Sequence, residues 1–240
     1  MSTLSLSDLY KSYNGRQVVT SVSLDIDNKN IVGLLGPNGA GKTTTFYMTI
    51  GIIKPDQGKI ILDGVDITKL PMHIRARKGI GYLPQEPSIF RKLTVRQNML
   101  AVLESLPLSK PEQKHRADML LDELGILHLA DQKSILLSGG ERRRLEIARA
   151  LATNPSFILL DEPFAGIDPL AIIDIKKIIK HLKKRKIGIL ISDHNVRETL
   201  AVCDKAFILS SGKIIESGTP KKIVSSKIAR RIYLGEEFRL

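Results

Sequence analysis

Tryptophan is absent, and aromatic residues of all kinds make up only 5% of this 240-residue chain. None of them interleaves with the basic run over 176–186, which weakens a reading in which nucleic-acid bases stack on aromatic platforms. There is one cysteine, Cys203, which excludes an intramolecular disulfide framework and fits a reducing compartment. Alone, it reads as a small buried hydrophobe rather than a reactive thiol. No run approaches the roughly 18 consecutive apolar residues of a membrane span. No basic-then-apolar leader opens the chain. The expectation is a soluble protein, or one that reaches a membrane through a partner.

What is present is the composition of ordered globular material, 42% hydrophobic and 26% charged. The length suits one large domain, or one domain carrying an insertion. A formal net charge of +12 is compatible with nucleic acid, anionic lipid headgroups or a bound nucleotide. Much of it sits in Lys176, Lys177, Lys180, Lys183, Lys184, Arg185 and Lys186. That segment lies on or just beyond an expected helix and reads as a solvated face.

Residues 3–9 and 18–26 alternate apolar and polar, as antiparallel strands do. Ile31–Leu35 is a continuous apolar run suited to a buried parallel strand, and a helix is expected over 43–50. Short strands follow at 59–62 and 80–83. After Pro87 the pattern turns helical, over 94–105, 111–124 and 139–153. Strand and helix then alternate again: strands 157–161 and 188–192, helices 170–184 and 195–202, and a hairpin of 206–209 with 213–216. The expected architecture is one α/β domain over 1–240. Residues 1–87 and 154–225 make its core and a β subdomain, 88–153 a helical insertion, and 226–240 a C-terminal tail.

Gly36-Pro37-Asn38-Gly39-Ala40-Gly41-Lys42-Thr43 satisfies G-x-x-x-x-G-K-[ST], between an expected strand and an expected helix. Its glycines let backbone N–H groups approach phosphates, and Thr44 extends the run. Lys42 supplies a point charge to the β- and γ-phosphates, and the Thr43 hydroxyl suits Mg²⁺. Phe157–Asp161 is an apolar strand ending in Asp161-Glu162. The first carboxylate is placed to hold Mg²⁺, and strand alternation aims the second elsewhere, to take a proton from an attacking water. His194, in the turn Ser192-Asp193-His194, is placed to contact the γ-phosphate and position that water. Gln85 offers its amide oxygen to metal or water, and Tyr13 either stacks on adenine or packs. Leu137-Ser138-Gly139-Gly140-Glu141 is a second Gly-Gly turn that opens a helix, with further free N–H groups at a positive dipole end. A nucleotide flanked by two such turns suggests a sandwich between two copies of the chain.

In order and content, the Lys42 loop, Gln85, the 138–141 turn, Asp161-Glu162 and His194 resemble the nucleotide-binding subunits of ABC transporters, over essentially the whole chain. The resemblance implies a P-loop NTPase (RecA-like) core with an antiparallel β subdomain and a helical insertion. It implies ATP and Mg²⁺ as cofactors, hydrolysis by Glu162, His194 and Gln85, and metal ligation by Thr43, Gln85 and Asp161. It implies a head-to-tail homodimer with ATP between the Lys42 loop of one copy and Ser138-Gly139-Gly140 of the other. Tyr13 then becomes the adenine-stacking residue and Asp168 the residue signalling across the dimer. Two integral-membrane subunits would be met through Gln85–Arg91, with Phe90 as an apolar anchor, at the cytoplasmic face of a bacterial inner membrane. Glu141 stands where many members have glutamine, and Ala165-Gly166-Ile167-Asp168 replaces a commoner Ser-Ala-Leu-Asp.

A narrower likeness rests on Pro84-Gln85-Glu86-Pro87-Ser88-Ile89-Phe90, on Glu141-Arg142-Arg143-Arg144, and on Leu234-Gly235-Glu236-Glu237-Phe238. These stretches resemble the ATPases of lipopolysaccharide export transporters. The ATPases of branched-chain amino-acid importers share the general motifs and are the nearest alternative. A non-transport ABC ATPase acting on nucleic acid or ribosomes usually carries two cassettes or a long coiled-coil insertion, and neither is found here.

Overall fold

The computed structural model describes residues 2–239; Met1 and Leu240 of the expected 1–240 domain lie outside the described residues. Numbered in chain order, the strands are β1 (Thr3–Tyr13), β2 (Arg16–Asp27), β3 (Ile31–Leu35), β4 (Gln57–Leu62), β5 (Val65–Asp66), β6 (Ile80–Leu83), β7 (Phe157–Asp161), β8 (Gly188–Ser192), β9 (Lys205–Ser210) and β10 (Lys213–Gly218). The helices are α1 (Lys42–Ile50), α2 (Met72–Arg77), α3 (Val95–Leu103), α4 (Lys110–Glu123), α5 (Gly139–Leu151), α6 (Pro169–Lys184), α7 (Val196–Leu200), α8 (Pro220–Ser225) and α9 (Lys227–Ala229).

Two sheets result, ordered β2-β1-β4-β5 and β10-β9-β3-β8-β7-β6. The first is antiparallel throughout. The second is parallel from β9 to β6, with β10 antiparallel on its edge. Strands β3, β7 and β8 at its centre are buried at every position because both faces are covered. Ile158, Leu160, Ile189 and Ile191 point to one side, where they share a core with α3, α4, α5 and α6. Phe157, Leu159 and Leu190 point to the other, against α1, β1 and β2. The helical segment therefore continues the core of the sheet instead of standing off from it. No helix among the described residues is long and apolar enough to cross a membrane.

Several elements lie outside the sequence expectations. Helix α2 is only six residues long, too short to show a period, and its anchor is polar. Arg75 is buried and donates to the carbonyls of Met48 and Thr49, both at 2.7 Å, and of Leu70 and Thr68. A guanidinium thus caps the C-terminal end of α1, where carbonyls run short of helical donors. The region read as a tail from residue 226 holds α9 and a further helical turn over Arg230–Leu234, packed by Tyr233, Leu234 and Phe238. The basic face of α6 is solvated only in part. Lys176, Lys183 and Arg185 pair with Glu198, Asp204 and Glu123 at 2.6–2.8 Å, fastening the helix to its surroundings, and Lys177 pairs with Asp174 one turn back on the same helix at 3.1 Å.

Candidate functional site

The C-terminal ends of four neighbouring parallel strands carry the chemistry: β3 leads to the Lys42 loop, β8 to His194, β7 to Asp161-Glu162 and β6 to Gln85. In open α/β sheets this edge is where ligands bind.

The loop after β3 is shaped by glycine. Gly36 passes so close to β9 that a Cβ there would stand 2.0 Å from the Leu209 carbonyl oxygen. Gly41 is left-handed (φ 104°) and caps α1 with no side-chain hydrogen bond, so the first-turn amides stay available to an anion. Lys42 is buried and folds back, its Nζ donating to the carbonyls of Gly36 (2.7 Å) and Pro37 (3.0 Å). Burial lowers its pKa against the opposing pull of Glu162, Asp161 and Asp193. Thr43 is exposed and Thr44 half-buried on the same turn, while Asn38 and Gly39 are exposed and Ala40 is buried beside them.

Asp161 is 2% exposed. Burial, reinforced by Glu162 alongside, pushes its carboxyl up to about 6. Glu162 leaves the strand through a left-handed turn (φ 48°), with its N–H donating to the Ser192 carbonyl at 2.6 Å. Glu162 lies just beyond the end of β7, so this turn sets the direction of its side chain. A non-glycine residue persists in this region only where its surroundings over-determine it. Here Arg143 of α5 does so. It donates to the carbonyls of Asp161 (3.0 Å), Glu162 (2.9 Å), Pro163 (3.3 Å) and Pro84 (3.1 Å).

The structure brings Gln85, Glu162 and His194 together. Glu162 Oε2 accepts from Gln85 Nε2 at 3.0 Å and lies 3.1 Å from His194 Nδ1. Gln85 thus engages the carboxylate through its amide nitrogen, which leaves its oxygen for another donor or a metal. Asp193, fully buried, accepts from the amides of Phe164 (3.0 Å) and Asn195 (2.7 Å), fixing the turn that presents the exposed His194. Burial raises the Asp193 pKa.

The second Gly-Gly turn is built differently. Ser138 is the N-cap of α5 and forms a reciprocal capping box with Glu141. The Glu141 carboxylate accepts from both the amide and the hydroxyl of Ser138 at 2.8 Å, and these bonds hold its pKa below the usual range. Gly139 lies against Gly166 and Ile167, and a Cβ on Gly140 would meet Ala171. Asp168 caps α6, accepting from the Ala171 amide at 2.9 Å. Tyr13 ends β1, 44% exposed, with Lys11 Nζ 5.6 Å from its ring centre. Phe90 is half exposed on its loop, with the Arg149 guanidinium over its ring. Arg143 and Asp193 were not legible as site residues. Arg143 sits in a run of charged residues whose only burial signal is the Arg143–Glu146 spacing, and Asp193 reads as part of a polar turn after an apolar strand.

The ABC transporter family profile matches residues 19–165. Over 241 aligned residues, covering 100% of both chains, the protein is 59% identical to the lipopolysaccharide export system ATP-binding protein LptB of Haemophilus influenzae. The LptB of Escherichia coli (strain K12) gives the same identity and coverage. Among solved structures, the ADP conformation of an ATP-binding cassette of an ABC transporter superposes with a TM-score of 0.89 at 30% identity, over 98% of this chain and 100% of that one. With the profile spanning more than half its length and relatives matching it end to end, the chain belongs to the ABC transporter family.

Proposed function

We infer that the chain is the ATP-hydrolysing subunit of an ABC transporter that exports lipopolysaccharide. The meeting of Gln85, Glu162 and His194 beside an open phosphate loop is the observation that carries hydrolysis rather than mere binding. The full-length likeness to LptB supports the substrate. Lys42 and the amides from Gly36 to Thr44 hold the phosphates. Thr43, Asp161 and the Gln85 amide oxygen are hard oxygen donors, and a set so small fits Mg²⁺, which keeps water and phosphate in most of its positions. Bound there, Mg²⁺ offsets charge on the phosphates.

Glu162 takes the proton of the attacking water as its oxygen bonds to the γ-phosphorus. The bond to the β-phosphate oxygen breaks, and ADP leaves with the electron pair. Gln85 and His194 fix the Glu162 carboxylate, and His194 also steadies the γ-phosphate. Tyr13 stacks on adenine. Ser138, Gly139 and Gly140, with Glu141 holding the turn, complete the site of a second, head-to-tail copy, and Asp168 signals across that dimer. Two membrane subunits dock against Gln85–Arg91 with Phe90 as their anchor, which places the chain at the cytoplasmic face of the inner membrane. Working parts divide accordingly: 1–87 with 154–225 as the catalytic core, 88–153 as the docking and closing subdomain, and 226–240 as the tail.

Glu162→Gln tests this directly. It is expected to abolish turnover while trapping an ATP-bound dimer on a sizing column; near-normal hydrolysis would sink the catalytic assignment. Phe90→Ala is expected to spare the turnover of the isolated chain and weaken capture of the membrane subunits, and undiminished capture counts against the docking surface.

A further inference from the structure

Helix α5 carries Arg143, Glu146 and Arg149 at three-residue spacing, and all three turn inward to the backbone of neighbouring loops. Glu146 is 4% exposed, yet both of its oxygens are engaged. Oε1 accepts the Ser88 amide at 2.9 Å, and Oε2 accepts from Arg143 Nη1 at 3.0 Å. Arg149 donates to the Ser88 carbonyl, so Ser88 is gripped from both sides. Arg143 in turn donates to the carbonyls of Asp161 and Glu162. An unbroken path of hydrogen bonds runs from Ser88, in the exposed loop beside Phe90, to the backbone of Glu162. It does not pass through Gln85, which reaches the Glu162 carboxylate on its own.

We propose that Glu146 is a positioning residue that ties the docking loop to the catalytic turn, so that a membrane subunit seated against Phe90 is felt at Glu162. The proposal rests on the docking and catalytic roles given above. A buried carboxylate is tolerated only while its oxygens are paired. Displacing Ser88 therefore either strands Oε1 or draws Glu146 along, and Arg143 with it. Because Arg143 over-determines the strained Glu162 turn, that movement changes the aim of the carboxylate.

The test compares ATP turnover of the isolated chain with that of the transporter assembled with its membrane subunits. Glu146→Gln keeps the size and can still accept the Ser88 amide, but turns an NH₂ group onto the Arg143 guanidinium. The ratio of assembled to isolated kcat is expected to fall at least about fivefold, with assembly intact. The KM for ATP is expected to stay within about twofold. A ratio equal to that of the unmodified protein overturns the proposal. That holds whether both activities fall together, as a purely structural defect gives, or neither changes. Ser88→Pro removes the amide donor, while also fixing φ and deleting the hydroxyl, and should lower the same ratio with assembly intact; it decides the matter if Glu146→Gln does not fold, and an unchanged ratio there overturns the proposal too. Equal turnover of the unmodified chain alone and assembled, or normal assembly by Phe90→Ala, overturns the docking reading itself and the proposal with it.

Discussion

Helices α1 and α5 both open on glycine-rich turns, yet the two openings are finished in opposite ways. At α1 the cap is the left-handed Gly41, no side chain satisfies the first turn, and a buried lysine lies across the loop. At α5 Ser138 and Glu141 satisfy each other without any ligand. On the proposed reading, the first opening receives phosphate within its own chain. The second is braced by its own side chains, and on the proposed reading it meets the nucleotide of the neighbouring copy. A receptor and a template are thus made from nearly the same residues, and the side-chain cap separates them.

Breaking the receptor should cost most. Lys42→Ala is expected to lower ATP turnover by at least about a hundredfold, measured on the isolated chain, because a charge aimed at the phosphates is lost. Gly41→Ala attacks the same opening through the backbone. At φ 104° a Cβ is strained, and here it would stand 2.7 Å from the Val18 carbonyl oxygen. A loss of about 1–3 kcal/mol in urea unfolding is expected, with nucleotide binding weakened alongside. The template should be more forgiving: Glu141→Ala removes the capping box for about 1 kcal/mol. That difference should also depend on pH. The Glu141 pKa is depressed in the folded chain, so its stabilisation is complete above the unfolded value of about 4.3 and fades as pH falls through the lower folded value. Stability curves of the two proteins should therefore converge on acidification.

The sequence carried the comparison only halfway. Both turns were legible because glycine spacing, a preceding apolar strand and a following helix are local features. The Ser138–Glu141 box, at capping spacing, is equally open to reading, and it is compatible with the nucleotide contact proposed for the same turn. What local patterns cannot hold is the fate of charge. Arg75, Arg143 and Glu146 lie in basic or mixed stretches that read as surface, and tertiary packing buries them against loop carbonyls and amides far away in the chain. The short α2 and the turns after residue 226 escaped for a related reason, since they are held by such contacts and not by a period.

The central claim is that the α5 opening serves the neighbouring copy's nucleotide and not its own. Mixing Lys42→Ala chains with Ser138→Arg chains in one assembly measures this most directly. In a mixed pair, one composite site keeps an intact Lys42 loop and an intact 138–140 turn only if the two come from different copies. The account predicts that each variant alone is nearly inactive and that the mixture recovers a large part of one site's ATP turnover. A mixture no more active than the average of its two components would contradict it.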